Sequence, residues 1–308
     1  MPEIVVPEVE LNIYSPKNPT EITVVENYVC TSENSPNFVR HITFDVSGTD
    51  LEGRVRIGQS LGILTPGTDD RGKPHKLRLY SVSSPTVGEG GKPHLISTTV
   101  KRTIEELDGK LYTGVCSNYL ADLQPGDKVQ ATGPSGKRFL LPKNAKDFNY
   151  VFFATGTGIA PFRGMLIELL EKDDYKGTIA LVFGCAYRTD LIYSDFLYEM
   201  DKKHPNFHYI TCVSRENRRA DGTKNYVQSS IEDCQDQLSP IFKQENTLIY
   251  ICGLKGMESG IYHNLAKQGF MDYLELKGEL AQTNPNEWEW EDISKKIKPS
   301  NRTFEEVY

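Results

Sequence analysis

The hydrophobic pattern changes texture near residue 142. From Glu21 to Leu141, runs such as ITVVENYVC, VRHITFDV, RVRIGQSLGIL, KLRLYSVSS, HLISTTVKR and KVQATG alternate or cluster β-branched residues. Ser47-Gly48, Pro66-Gly67, Asp108-Gly109 and Pro125-Gly126 punctuate them. Short strands at such spacing predict an antiparallel barrel or sandwich. After Pro142, NYVFFATG and TIALVFG read as buried strands and APFRGMLIELLEK as an amphipathic helix. SDFLYEMDKK, FHYITCVS, the stretch around YVQSSIEDC, TLIYICG and MESGIYHNLAKQG continue the alternation. Near-continuous apolar strands taking turns with helices predict a parallel, doubly wound, Rossmann-like sheet. Residues 1–20, dotted with Pro and Asn, read as a loose arm. The predicted division is therefore an arm (1–20), an antiparallel β domain (21–144) and an α/β domain (145–308). QTNPNEWEWEDISKKIKPSNR holds both tryptophans and reads as an excursion before a short final strand, TFEEVY.

Composition narrows the partners. A chain of 308 residues is long enough for two cores, and its formal net charge of -7 argues against nucleic acid as the main partner. No stretch approaches the length of a membrane span. The start carries Glu3, Glu8 and Glu10 in place of a basic region and an apolar run, which argues against a secretory or Arg-rich transit peptide. The six cysteines are scattered without a C-x-x-C pair, so neither a disulfide framework nor a metal site is expected, and a reducing compartment is. A bacterial cytoplasm is the expected location, with a mature plastid form as the other reading.

Three stretches carry chemistry. Thr155-Gly156-Thr157-Gly158-Ile159-Ala160-Pro161 lies where a strand meets a helix, where glycines let backbone amides approach a diphosphate. A tight turn explains the same pattern. Ser214-Arg215, then Lys224, Tyr226 and Gln228, offer cationic and hydroxyl donors where an NAD site usually places a carboxylate. Arg218, Arg219 and Asp221 leave a solvated charged loop as the alternative. In the first domain, Arg78-Leu79-Tyr80-Ser81 would suit a diphosphate, an aromatic ring and a ring nitrogen, although an aromatic on a strand is commonly core.

RLYSVSS, KPHKLRLY, GVCSNYL, ATGTGIAPFRGML, VSRENRRADGTKNYVQ, ICGLKGME and the terminal EVY, in this order, resemble the plastid-type ferredoxin–NADP⁺ reductases over residues 22 to 308. The resemblance implies an FAD-binding antiparallel β-barrel followed by an NADP(H)-binding parallel domain, with ferredoxin as partner, flavodoxin as a conceivable substitute, and a monomeric enzyme. It implies that Arg78 binds the FAD diphosphate, Tyr80 stacks on the isoalloxazine and Ser81 sits near flavin N5. Leu79, Thr99, Val100, Lys101, Val115, Cys116 and Ser117 would line the FAD site. Thr157 would lie between flavin and nicotinamide, and Ser214, Arg215, Lys224, Tyr226 and Gln228 would serve the 2′-phosphate end. Cys252, Gly253 and Leu254 would approach the nicotinamide, Glu306 would be the carboxylate near the flavin edge, and Tyr308 would cover the flavin's other face. On this reading Ser81, Cys252, Glu306 and Tyr308 are the catalytic set.

The sequence also departs from the plant pattern. Glu105 stands where a Tyr stacks on the FAD adenine, with Tyr112 as the candidate substitute. Gly184-Cys185-Ala186-Tyr187-Arg188-Thr189 replaces the plant loop GVPTSS, so its contacts do not carry over, and Arg188 is the candidate for the diphosphate. Because ferredoxins are generally acidic, an enzyme of this charge needs a local basic face, for which Lys73, Lys76, Lys101 and Lys137 are the candidates. The competing readings are a diflavin or cytochrome reductase module, an NADPH-dependent diaphorase, and a non-catalytic nucleotide-binding protein.

Overall fold

A computed structural model describes residues 1–171 and 174–308 of the chain, and all counts and absences given concern those residues. The first half is built from β1 (Thr20–Val29), β2 (Val39–Asp45), β3 (Ser60–Leu64), β4 (Arg78–Ser81) and β5 (Leu95–Lys101). A hairpin of β6 (Ile104–Leu107) and β7 (Lys110–Thr113) follows, then helix α1 (Val115–Asp122) and β8 (Lys128–Ser135). Six of these strands form one antiparallel sheet in the order β4-β3-β8-β1-β2-β5. A bridge between Val82 and Thr98, with Ser83 N–H donating to Ser97 O at 2.8 Å, joins the two ends of that order and rolls the sheet into a barrel. Ile22, Val24, Ile42, Phe44, Leu61, Ile63, Val129 and Ala131 alternate inward to fill it.

The second half contains β9 (Asn149–Thr155), α2 (Ala160–Leu170), β10 (Ile179–Cys185), α3 (Ser194–Lys203) and β11 (Phe207–Val213). It continues with α4 (Ser230–Asp233), α5 (Gln235–Phe242), β12 (Thr247–Gly253), α6 (Met257–Lys267), β13 (Leu274–Leu276), α7 (Trp290–Lys296), β14 (Ile297–Pro299) and β15 (Thr303–Val307). Five strands form a parallel sheet in the order β11-β10-β9-β12-β15. Every residue of β12 is buried, as expected of a strand covered on both faces. Fold class and final strand agree with the sequence reading.

Several boundaries differ from it. Only Ser60–Leu64 of the RVRIGQSLGIL run is strand, because Arg54–Gln59 turn on themselves through Arg54 N–H to Leu51 O and Gln59 N–H to Arg56 O. The stretch around YVQSSIEDC forms a 3-10 turn over Val227–Ser229 that leads into the short α4. The arm is not loose. Asn12 N–H donates to Pro134 O, Tyr14 exchanges backbone bonds with Gly133, and Gln59 Nε2 donates to Glu10 O. The tryptophan excursion is folded on a short β13–β14 pair, and Trp288 is buried, with its indole N–H on Thr283 Oγ1 at 2.9 Å.

The chain divides into two compact units: Val6–Lys143 with Ala160–Glu171, and Met1–Val5 with Asn144–Ile159 and Lys172–Tyr308. Helix α2 thus belongs with the barrel. Its Arg163 makes a two-pronged pair with Glu89 at 2.7 and 2.9 Å and donates to Ser83 O at 3.1 Å, while Ser97 Oγ donates to Glu89 at 2.8 Å. Burial alone would raise the Glu89 carboxyl, but the Arg163 guanidinium and the Ser97 hydroxyl hold it below its ordinary value. His41, 3.8 Å from Glu89, is pushed down to about 4, first by burial and then by Arg163. It is therefore neutral at physiological pH, and the charge that offsets Glu89 is Arg163. Removing one partner of such a pair typically costs about 3–5 kcal/mol, since the other charge stays buried.

Candidate functional site

The candidate residues fall in two groups, one in each unit. In the parallel sheet the strand order reverses between β9 and β12, and ligands of open α/β sheets bind at the carboxyl ends of strands flanking such a reversal. Thr155 ends β9 and Gly253 ends β12. The loop after β9 lies so close to β12 that a Cβ on Gly158 would sit 2.2 Å from Cys252 O. At Gly253, φ is +147° and a Cβ would sit 2.1 Å from Thr155 Oγ1. Only glycine fits either place. Thr155 Oγ1 also accepts the Leu254 N–H at 3.0 Å, a role the sequence reading missed although the residue directly precedes the glycine loop.

The chain's last residue is fixed at this spot. β15 runs beside β12 with Cys252 opposite Glu306 and Gly253 opposite Val307. Tyr308 continues the pairing, donating its N–H to Gly253 O and accepting from Lys255 N–H, both at 3.0 Å. Its hydroxyl lies 2.7 Å from Thr157 Oγ1. The residue is 58% exposed, yet burial of its hydroxyl end pushes the phenol up to about 12. The ring therefore shows an open face while its tip is held. Cys252 is buried, and burial first, then Glu306, raises its thiol well above the ordinary value. A thiol kept protonated is no nucleophile, so the Cys252 side chain offers shape and polarity rather than covalent chemistry.

At the far side of the sheet, Ser214 Oγ donates to Cys185 O at 3.2 Å. Arg215, Arg218 and Lys224 are exposed and have no carboxylate within ion-pair distance, whereas Arg219 pairs with Asp221, Glu232 and Asp233. The structure thus sorts the charged loop: Arg219 pins it to α4, and the other three cations remain available to an anion. Tyr226 is 43% exposed and within electrostatic reach of Arg215. Gln228 packs its amide against Gly260 of α6. Arg188, the expected diphosphate contact, lies 3.6 Å from Glu216 and donates to Asn217 Oδ1 at 3.4 Å.

In the barrel unit, Arg78 and Leu79 are exposed on β4, and Arg78 has no ion pair. The Tyr80 hydroxyl meets Cys116, so the RLYS and GVCSNYL motifs converge. Burial and that contact raise its pKa. Ser81 O accepts from Thr98 Oγ1 at 2.8 Å. Helix α1 begins at Gly114 with no side-chain cap, leaving first-turn amides of Val115 and Cys116 for an anion. Ser117 Oγ is already engaged, donating to Gly114 O and accepting from Thr103 N–H. Thr99 and Val100 are buried in β5, while Lys101 is exposed at the strand's end. On the β6–β7 hairpin Glu105 and Tyr112 stand directly opposite one another, with Tyr112 52% exposed.

An unpaired arginine, an uncapped helix start and a half-buried tyrosine fit FAD. Unpaired cations and a glycine-lined loop at the strand ends fit NADP(H). A barrel followed by a doubly wound sheet is the frame of reductases that couple a flavin to a pyridine nucleotide, and the chain is of that class.

Comparison with known proteins makes this narrower. Residues 152–263 match the oxidoreductase NAD-binding domain family. A ferredoxin–NADP reductase of Spirulina is 38% identical over 98% of this chain and 99% of its own. The chloroplastic leaf isozyme 1 of Arabidopsis thaliana is 39% identical over 89% of this chain and 77% of its own. The solved ferredoxin–NADP⁺ reductase of Plasmodium falciparum superposes with a TM-score of 0.71 at 26% identity, covering 97% of this chain and 99% of the other. The chain belongs to the ferredoxin–NADP reductase family.

Proposed function

We infer that this chain is a ferredoxin–NADP⁺ reductase that binds FAD on the barrel and NADP(H) on the parallel sheet. In the reaction, two reduced ferredoxins, NADP⁺ and a proton are exchanged for two oxidised ferredoxins and NADPH. Bound FAD supplies the conversion between one-electron carriers and hydride transfer. The chain's own residues bind and orient. Arg78 and the first-turn amides of α1 would hold the FAD diphosphate, Tyr80 and Ser81 would hold the flavin ring, and Tyr112, opposite Glu105, would serve the adenine. Arg215, Lys224, Ser214 and Tyr226 take the 2′-phosphate. Thr157, Cys252, Gly253, Leu254 and Glu306 shape the nicotinamide place at the ends of β9 and β12, which the Tyr308 ring holds until nicotinamide displaces it.

The observation that carries this reading is the anchoring of Tyr308 on Thr157 and Gly253 at the reversal of the sheet. A merely frayed terminus would make no such bonds. A flavodoxin would serve as carrier on the same terms, and the enzyme works as a monomer. No helix among the described residues is long and apolar enough to cross a membrane.

The purified protein is expected to be yellow, and NADPH under anaerobic conditions to bleach its flavin absorption. A colourless protein, or a colour that NADPH leaves untouched, would refute the reductase reading and leave a nucleotide-binding module.

A further inference from the structure

Beyond the ends of β10 and β11 the two loops clasp each other. The backbone pairing runs on, with Ser214 N–H donating to Cys185 O at 2.9 Å and Arg215 N–H to Ala186 O at 3.0 Å. Each loop then places an arginine on the other. Arg188 reaches Glu216 and Asn217, as described above, and Arg215 reaches Tyr187. The Arg215 guanidinium donates to the Tyr187 hydroxyl at 3.0 Å and lies 5.5 Å from the centre of its ring.

The two arginines have different partners, and the difference has a chemical consequence. Arg188 faces a carboxylate, as Arg219 does, so its charge is matched within the protein. Arg215 donates to a phenol hydroxyl, which fixes the guanidinium without a carboxylate at ion-pair distance, and Asp190 acts on it only from farther away. Tyr187 is itself a firm post. Its N–H donates to Asp190 Oδ2 at 3.3 Å, and its carbonyl accepts from Asp190 N–H at 2.9 Å and from the Cys185 thiol at 3.0 Å. A long exposed arginine otherwise loses its rotamer freedom on meeting a ligand. One held in advance loses less and binds more tightly.

We propose that Tyr187 is a positioning residue for nucleotide selectivity: it holds the Arg215 guanidinium, free of a direct ion pair, for the 2′-phosphate of NADP(H). This rests on the reading that Arg215 meets that phosphate. Tyr187 touches no reacting atom, and its effect runs through Arg215.

The test measures dissociation constants for 2′-AMP and 5′-AMP, and kcat/KM for NADPH and NADH, in Tyr187→Phe, Tyr187→Leu, Arg215→Ala and the Tyr187→Phe/Arg215→Ala double variant. Losing one hydrogen bond in Tyr187→Phe should weaken 2′-AMP about three- to tenfold. Tyr187→Leu, which also loses the ring face, should weaken it by about tenfold or more. In both, 5′-AMP binding and kcat/KM with NADH should stay unchanged, and in the Arg215→Ala background the Tyr187→Phe change should have no further effect. Equal losses for both nucleotides, or an undiminished loss without Arg215, would reduce Tyr187 to packing. Tighter 2′-AMP binding in Tyr187→Phe would make it a competitor of the phosphate and overturn the proposal. If Arg215→Ala itself spares 2′-AMP, the assignment of Arg215 fails, independently of Tyr187.

Discussion

Tyr308→Ser is expected to bind NADP⁺ about tenfold more tightly, to release it more slowly, and to gain about tenfold or more in kcat/KM with NADH. The wild-type ring is tied by its hydroxyl to Thr157 at 2.7 Å and by its backbone to Gly253 and Lys255, and on the proposed reading it stands where nicotinamide must go. Nicotinamide has to break the hydroxyl bond and displace the ring. Contributions of about 0.5–1.5 kcal/mol each, from hydrogen bond and ring stacking, set the size of that opposition. NADP(H) overcomes it with its 2′-phosphate contacts, whereas NADH has none to offset it. Removing the ring therefore helps NADH most. Turnover with NADPH should fall, because the nicotinamide complex becomes over-stable and product release limits the rate. The sequence alone suggests that Tyr308→Phe is silent, since the ring does the covering. The Thr157 bond changes this, and the Phe variant should shift NADP⁺ affinity part of the way towards Ser. Isothermal titration with NADP⁺ and steady-state rates with both nucleotides check the series. Unchanged affinity and selectivity in Tyr308→Ser would mean that the ring does not occupy the nicotinamide place.

Arg215→Ala should lower kcat/KM for NADPH by about 10- to 100-fold and leave NADH nearly untouched, from about 1.5–3 kcal/mol for one charge-assisted contact. Arg219→Ala should behave differently. Arg219 is surrounded by Asp221, Glu232 and Asp233, so its loss should loosen the loop without removing a phosphate ligand. Steady-state rates with both nucleotides decide, and equal losses for NADPH and NADH in Arg215→Ala would remove the residue from the 2′-phosphate site.

The β-strands were legible because burial marks their side chains, in the barrel by alternation, as at Ile22 and Val24 or Val129 and Ala131, and in the parallel sheet by continuous apolar runs such as Thr247–Gly253. The β6–β7 hairpin was not, since all its residues are exposed and nothing in their order reflects a buried face. Helix α1 was seen only as the motif GVCSNYL, because its eight residues are too few to establish a helical period. Strand-end glycines made the nucleotide site legible, as their spacing reports where backbone must approach backbone. The Arg163–Glu89 pair and the Tyr187–Arg215 clasp were not, being separated by 74 and 28 positions and made by residue types common on any surface. Lys73, Lys76, Lys101 and Lys137 are all exposed, as a docking face requires, and none has an ion-pair partner within the protein. Exposure was easy to foresee from their charge, whereas their availability is a matter of what surrounds them.

The most direct test of the whole account is the NADPH-dependent reduction of an acidic ferredoxin, followed from about 0.05 to 0.5 M salt beside a small neutral acceptor. The account predicts that the ferredoxin is reduced with NADPH and far more slowly with NADH, and that its rate falls steeply with salt while the small acceptor's barely changes. Rapid reduction of the small acceptor with no reduction of ferredoxin or flavodoxin at any salt would contradict it, and would leave a diaphorase serving another acceptor.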